Sequence, residues 1–216
     1  MLSQKTRKYL SRVAKQRGQT LPNNYEDTLN NYCTMLQQSY DYQLKFQETH
    51  NTNPSSLNAN AGWKKCRTII VTPEWAAQLV LNDSFEVRNA FAITIGHELT
   101  HKKKEPFVIQ CTRKRTQFFA YVREVHADFG AAQMMCNSSR DALLCSMHFK
   151  KKFKEDTVGL KDKDRFTHPS WKSRIFYVSE FNFGEALVRQ IANDLKYRNK
   201  KTIAYMANYF DQIELV

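Results

Sequence analysis

The chain has 216 residues, 42% of them hydrophobic and 12% aromatic, with 6 Gly, 5 Pro and a formal net charge of +12. A chain of this length can bury a core without disulfide staples, and it forms one domain or at most two small ones. The proportions exclude collagen-like, low-complexity and disordered classes, and the longest apolar run, near Ala90 to Ile95, is far short of the ~20 residues of a membrane span.

In chain order, residues 1 to about 46 read as two helices. The first is basic, with Leu2, Tyr9, Leu10, Val13 and Ala14 as an apolar stripe broken at Gly18 and Pro22. The second starts near Asn24 and runs through Leu29, Tyr32, Met35, Leu36 and Tyr40 at helical spacing. From Gln47 to Asn58 the Asn, Thr, Ser and Pro content predicts a loop. Cys66 to Thr72 is a β-branched run and the best strand candidate. Thr72-Pro73-Glu74 then opens a helix with a hydroxyl N-cap, Pro at the first helical position and an acid in the first turn. A long helix follows, with Asp83 and Glu86 as a capping box and Val87, Phe91, Ile95 and Leu99 on one face, ending at Pro106. Further helices are predicted from about Thr116 to Met135 and from about Ser139 to Phe149. Lys150 to Asp164 reads as a charged surface loop. Thr167-His168-Pro169 opens a helix to about Phe181, and Gly184-Glu185 opens the last helical region. The fold class is therefore α+β and mostly helical, with a small sheet. Residues 1–46 form a basic helical region packed on the core, 47–182 the core itself, and 183–216 a helical region of the same domain.

The N-terminus lacks the apolar segment of a secretory signal. The five cysteines are odd in number and contain no C-x-x-C pair, a pattern suited to a reducing, cytoplasmic setting. The positive residues cluster at Lys5 to Arg17, Lys102 to Lys104, Arg113 to Arg115 and Lys150 to Lys154. Such a surplus serves solubility, or attracts nucleic acid, anionic membrane or acidic partners. No nucleic-acid-binding motif accompanies it.

The chemistry concentrates in His97-Glu98-Leu99-Thr100-His101. Histidines at i and i+4 share one helix face, so both rings can reach a single ion, and zinc favours nitrogen ligands of this kind. Glu98 can point toward the coordination position left for water and accept a proton there. The next predicted helix carries Glu124 and Asp128, also one turn apart. One carboxylate can ligate the metal while the other accepts the free ring N–H of a ligand histidine. His126 points off that face and reads as a structural or surface residue.

H-E-L-T-H followed by E-V-H-A-D resembles the gluzincin metallopeptidases, and within them the HtpX and type I CAAX prenyl protease family. Asn60-Ala61 with the strand Thr68 to Thr72, and Thr167-His168-Pro169 with Arg174-Ile175, extend the similarity over about residues 58 to 176. The resemblance implies a zincin-like domain, with an active-site helix beneath a small sheet whose edge receives substrate. It implies one zinc per chain on His97, His101 and Glu124, with Glu98 as general base. Asp128 orients a ligand histidine, His168 polarises the scissile carbonyl, Arg174 supports the carboxylates, and Asn60 and Ala61 line the substrate edge. The implied activity is zinc-dependent endopeptidase cleavage of extended or unfolded protein segments. Two departures stand out. Many relatives are embedded in membranes, whereas this chain has no candidate span, and Gly62-Trp63-Lys64-Lys65 replaces an apolar continuation after Ala61.

Regulatory metallopeptidases of the ImmA/IrrE type share H-E-x-x-H and the later E-x-x-A-[ND]-x-F, which Glu124, Ala127, Asp128 and Phe129 satisfy equally well; they cleave a specific partner. His168-Pro169 with Arg174 separates the two families. Peptide deformylase would need a cysteine ligand in an upstream motif that is missing here. A non-catalytic, zinc-stabilised basic binding module is the third alternative, although such sites are usually closed by four ligands rich in sulfur.

Overall fold

The computed structural model describes residues 2–40, 42–47, 53–61, 67–104, 117–158 and 162–216, and the side chains of all of these except 35–40, 103, 104 and 158. Helices α1 (Gln4–Gln16) and α2 (Tyr25–Tyr40) lead into strand β1 (Gln43–Phe46). Strands β2 (Ala59–Asn60) and β3 (Thr68–Val71) follow, then α3 (Pro73–Leu81), α4 (Phe85–Lys104), α5 (Gln117–Met135), α6 (Arg140–Val158), α7 (Trp171–Glu180), α8 (Glu185–Asp194) and α9 (Lys200–Tyr209). The chain is α+β and mostly helical, and no described helix is long and apolar enough to cross a membrane.

The sheet has the order β1-β3-β2. β1 runs parallel to β3 with Gln43 opposite Thr68 and Phe46 opposite Val71, and β2 runs antiparallel with Ala59 opposite Val71. The first 46 residues thus hold a strand as well as two helices, a correction to the purely helical reading. Alternation is weak in a four-residue strand, and its only buried residue is Phe46. Ile69 and Val71 point from β3 into the core, as the β-branched run predicts.

Two apolar clusters divide the interior. One gathers Leu10, Leu29, Phe46, Ile69, Trp75, Leu79, Phe91 and Leu99, from the sheet and α1 to α4. The other gathers Phe118, Val125, Phe129, Leu143, Tyr177, Phe183, Leu187, Ile191, Met206 and Phe210, from α5 to α9. The basic helix α1 joins the first cluster through Tyr9, Leu10 and Val13, and it is pinned by the buried Glu74 carboxylate. Glu74 accepts from the Tyr9 hydroxyl (2.5 Å), Arg17 (2.8 Å) and Gln78 (2.6 Å). The acid predicted as a first-turn charge is therefore an anchor between two helices.

Capping differs from the sequence reading at three helix starts. Thr72 flanks α3 but its hydroxyl makes no cap; it ties down the carbonyls of Ser56 and Asn58 instead. At α4 the Ser84 hydroxyl accepts from the Val87 N–H (3.3 Å), while Asp83 pairs with Arg88 (2.7 Å). Helix α7 starts at Trp171, capped by Ser170 rather than Thr167. The predicted loop from Lys150 is helical to Val158, because Phe149 and Phe153 reach the first cluster while Leu143 and Met147 reach the second. A run of lysines hid an inward stripe. The predicted end of α4 at Pro106 and the Arg113 to Arg115 cluster lie outside the described residues.

α4 and α5 form the most extensive helix pair, and glycine makes their approach possible. A Cβ on Gly130 would lie 2.6 Å from the Thr100 side chain, and one on Gly96 would lie 3.1 Å from the Ala131 backbone and 2.7 Å from Met135. Real Cβ atoms do not tolerate such distances in a close-packed interior. This contact sets the distance between the histidine motif and the acidic motif.

Candidate metal centre

His97 and His101 lie one turn apart on α4, facing Glu124 on α5. The three residues offer one ligand atom each within a group that could hold a metal ion. The Nε2 atoms of the two histidines are 3.1 Å apart. His97 Nε2 lies 3.5 Å from Glu124 Oε2, and His101 Nε2 lies 3.5 Å from Glu124 Oε1. Zinc bonds of ~2.0–2.1 Å in a tetrahedron place ligand atoms about 3.3–3.4 Å apart. Each histidine thus lies close to that spacing from a different oxygen of Glu124, and the three residues are compatible with a metal ion such as zinc.

Asp128 fixes His97. Its Oδ1 accepts from the ring Nδ1 at 2.9 Å, which leaves the Nε2 lone pair facing His101 and Glu124. Arg174, on α7, grips the same carboxylate, with Nε 2.8 Å from Oδ2 and a second nitrogen on Oδ1. Its guanidinium lies 4.3 Å from the centre of the Trp171 ring, a cation–π contact. Burial pushes the Asp128 carboxyl up, but the Arg174 charge and the His97 bond outweigh it and hold the group below its ordinary value. Burial likewise pushes Glu124 up, and the bonds from His101 and His97 bring it well below the carboxylate range. Both acids are thus held as anions, the form that binds metal and orients imidazole.

Glu98 follows His97 on α4 but stands outside the ligand group; its Oε2 accepts from the Ala61 N–H at 3.0 Å. The end of β2 is thereby tied to the residue beside the metal site. Ala61 is buried and Asn60 exposed. The segment from Gly62 to Cys66 lies outside the described residues.

His168 is an exposed residue beside the group, with Nε2 3.6 Å from Glu124 Oε1 and Nδ1 2.8 Å from the Thr167 hydroxyl. Burial and the Arg174 charge push its ring pKa down, against an upward pull from Glu124. Two aspartates hold its loop against α7. Asp164 accepts from the Ser170 N–H (2.7 Å), and Asp162 accepts from the Trp171 and Lys172 N–H groups (3.0 and 2.9 Å). The Tyr121 hydroxyl on α5 donates to the Arg165 carbonyl (3.0 Å).

Sequence reasoning missed these two aspartates and also Lys150. The Lys150 ammonium donates to the Thr94 hydroxyl (3.1 Å) and lies 5.0 Å from the centre of the Trp171 ring. Burial and the nearby Arg174 lower its pKa to about 8, while Asp128, Glu98 and Glu124 oppose the fall. The available signal was phase: Leu143, Met147 and Lys150 follow each other at 4 and 3 residues on one face of α6. His126 is buried against Phe183 and Phe210, with ring centres 4.9 and 4.5 Å away, and is a core residue.

Comparison with protein-family models, with curated proteins and with solved structures finds no match to this chain.

Proposed function

We propose that the protein is a zinc-dependent endopeptidase of zincin-like architecture that hydrolyses extended or unfolded protein segments. The observation that carries the reading is the convergence of His97, His101 and Glu124, one ligand atom of each lying within 4.8 Å of the others, with Glu98 beside them on the same helix but outside the set. A structural zinc is normally closed by four protein ligands, whereas the described residues supply three, which leave a position for water or substrate.

His97, His101 and Glu124 would hold the zinc, which would supply Lewis acidity and make water more acidic at the site. Glu98 takes the proton from the attacking water at a carboxylate oxygen and returns it to the leaving amine. The Ala61 N–H steadies that carboxylate. The exposed His168 ring, beside Glu124, would act as a donor to the oxyanion that develops on the scissile carbonyl. Asp128 and Arg174 keep His97 in the tautomer and orientation that ligation requires. An extended peptide laid along the β2 edge meets these groups through its backbone, which favours flexible segments over folded ones. The likeness of the motifs to the HtpX and CAAX prenyl protease family supports the same assignment of roles.

Glu98→Gln tests the reading. The variant is expected to fold and bind one zinc per chain, while cleavage of casein falls by at least the ~10²–10⁴-fold typical of general-base catalysis. Equal cleavage by wild type and variant from parallel preparations would sink the assigned mechanism. Zinc-loaded wild type that leaves casein and other unfolded proteins intact would sink the activity.

A further inference from the structure

The outer face of α9 carries a pattern that the metal centre does not use. α9 buries Ile203, Met206 and Ala207 and leaves Lys200, Lys201, Tyr205 and Tyr209 exposed. The tyrosines are 42% and 40% exposed, and their ring centres lie 5.5 Å apart at an interplanar angle of 33°. Lys201, Tyr205 and Tyr209 follow one another at i, i+4 and i+8, so cation and rings form one stripe rising about 6 Å per step. Lys196 and Arg198, in the turn before α9, are exposed as well. From Lys196 to Phe210 there are four Lys and Arg and no Asp or Glu. None of the four cations forms an ion pair with a described residue. The neighbouring α8 differs, since its exposed Arg189 is paired with Glu185.

We propose that this face binds single-stranded nucleic acid. Phosphates are neutralised by Lys196, Arg198, Lys200 and Lys201, and adjacent bases stack on Tyr205 and Tyr209, the combination by which single strands are held without sequence readout. A single strand fits better than a duplex, because paired and stacked bases offer no free face to a tyrosine. A membrane-surface helix would turn aliphatic residues outward, whereas Ile203, Met206 and Ala207 all face the core. The +12 net charge draws any polyanion toward the protein. α1 also exposes cations, at Lys5, Lys8, Arg12 and Lys15, but its only tyrosine, Tyr9, is buried. It therefore has charge without a stacking surface. The proposal is independent of the protease reading.

The test is anisotropy titration of a fluorescein-labelled twelve-nucleotide oligothymidylate with the full chain, from 50 to 300 mM NaCl. Saturable binding is expected, with log K falling against log salt at a slope of about −3, from four neutralised phosphates at ~0.7 each. Lys200→Gln with Lys201→Gln should flatten the slope by about 1.4. Tyr205→Ala with Tyr209→Ala should keep the slope and weaken binding by roughly 10-fold or more, and the Tyr→Phe pair should restore it. The lysine pair should leave the thermal melt unchanged, whereas the Tyr→Ala pair, which removes rings packed on each other and on Phe210, should lower it by a few degrees with the protein still folded at the assay temperature. No saturable binding, full affinity in the Tyr→Ala pair, a loss that follows Lys8→Gln with Arg12→Gln instead, or binding to phosphatidylserine vesicles in place of the oligonucleotide would each overturn the proposal.

Discussion

On its inner side the candidate metal centre rests on Asp128 and Arg174, 2% and 8% exposed, whereas on its outer side His168 keeps 57% of its side chain in solvent. The inner wall is built on α4 and α5, whose contact has no slack because Gly96 and Gly130 leave no room to shift, with Arg174 reaching it from α7. Its charges are paired and hydrogen-bonded, and removing one member strands another in a low-dielectric interior. The rim is a loop held to α7 by backbone N–H bonds to Asp162 and Asp164. The difference separates two tasks. On the proposed reading, inner residues would carry metal affinity and stability together, while rim residues would change the rate with little effect on either.

The sharpest way to break that contrast is Arg174→Met. It leaves the Asp128 carboxylate buried without its cation, a loss of about 3–5 kcal/mol by analogy with broken buried pairs. The melting temperature should fall by roughly 10 °C or more. A melt within 2 °C of wild type would show that the inner wall relaxes and that the contrast is false. His101→Ala should cut zinc affinity by orders of magnitude in equilibrium competition, since two donors remain of three. Asp128→Ala should lower it by roughly 10–100-fold; unchanged affinity would remove Asp128 from the support of His97. His168→Ala marks the other side of the comparison. Zinc stoichiometry and the melt should stay as in wild type while casein cleavage drops by about 10²-fold. Loss of metal in that variant would make His168 a ligand.

How much of this was legible follows the same division. Helical spacing places His97 and His101 on one face, and Glu124 and Asp128 on another, because i, i+4 periodicity is a local property. Arg174 entered through its likeness to a family motif, since nothing local links residue 174 to residue 128. β1 escaped notice because four residues with one buried side chain carry almost no periodicity. The capping error at Asp83 arose because Asp and Ser are both good N-caps, and only the Arg88 and Tyr32 contacts decide which one is already engaged. Lys150 was hidden by composition. A lysine inside K-K-K-F-K reads as solvated until the Thr94 hydroxyl and the Trp171 ring are brought to it from α4 and α7.

Lys150 also gives the finest test, because it joins the two walls without touching the ligands. Its ammonium faces Arg174 and Trp171 on α7, Thr94 and Glu98 on α4, and Asp128 and Glu124 on α5. Burial and Arg174 lower its pKa from an ordinary 10.5 to about 8. The unfolded chain therefore holds more protons than the folded one between those values, and stability gains a positive slope with pH across that window. Below pH 8 the lysine is charged in both states and its penalty is fully present; above about 10.5 it is neutral in both and the penalty is gone. In chelator-treated protein, the melting temperature of wild type should rise relative to Lys150→Met by a few degrees from pH 8 to 10, and the two curves should run parallel from pH 6 to 7.5. Parallel curves throughout would mean that the carboxylates of the inner wall fully offset the burial of the ammonium. Lys150 would then belong with Asp128 and Arg174 as one neutralised cluster, and the inner wall would extend from α5 through α7 to α6.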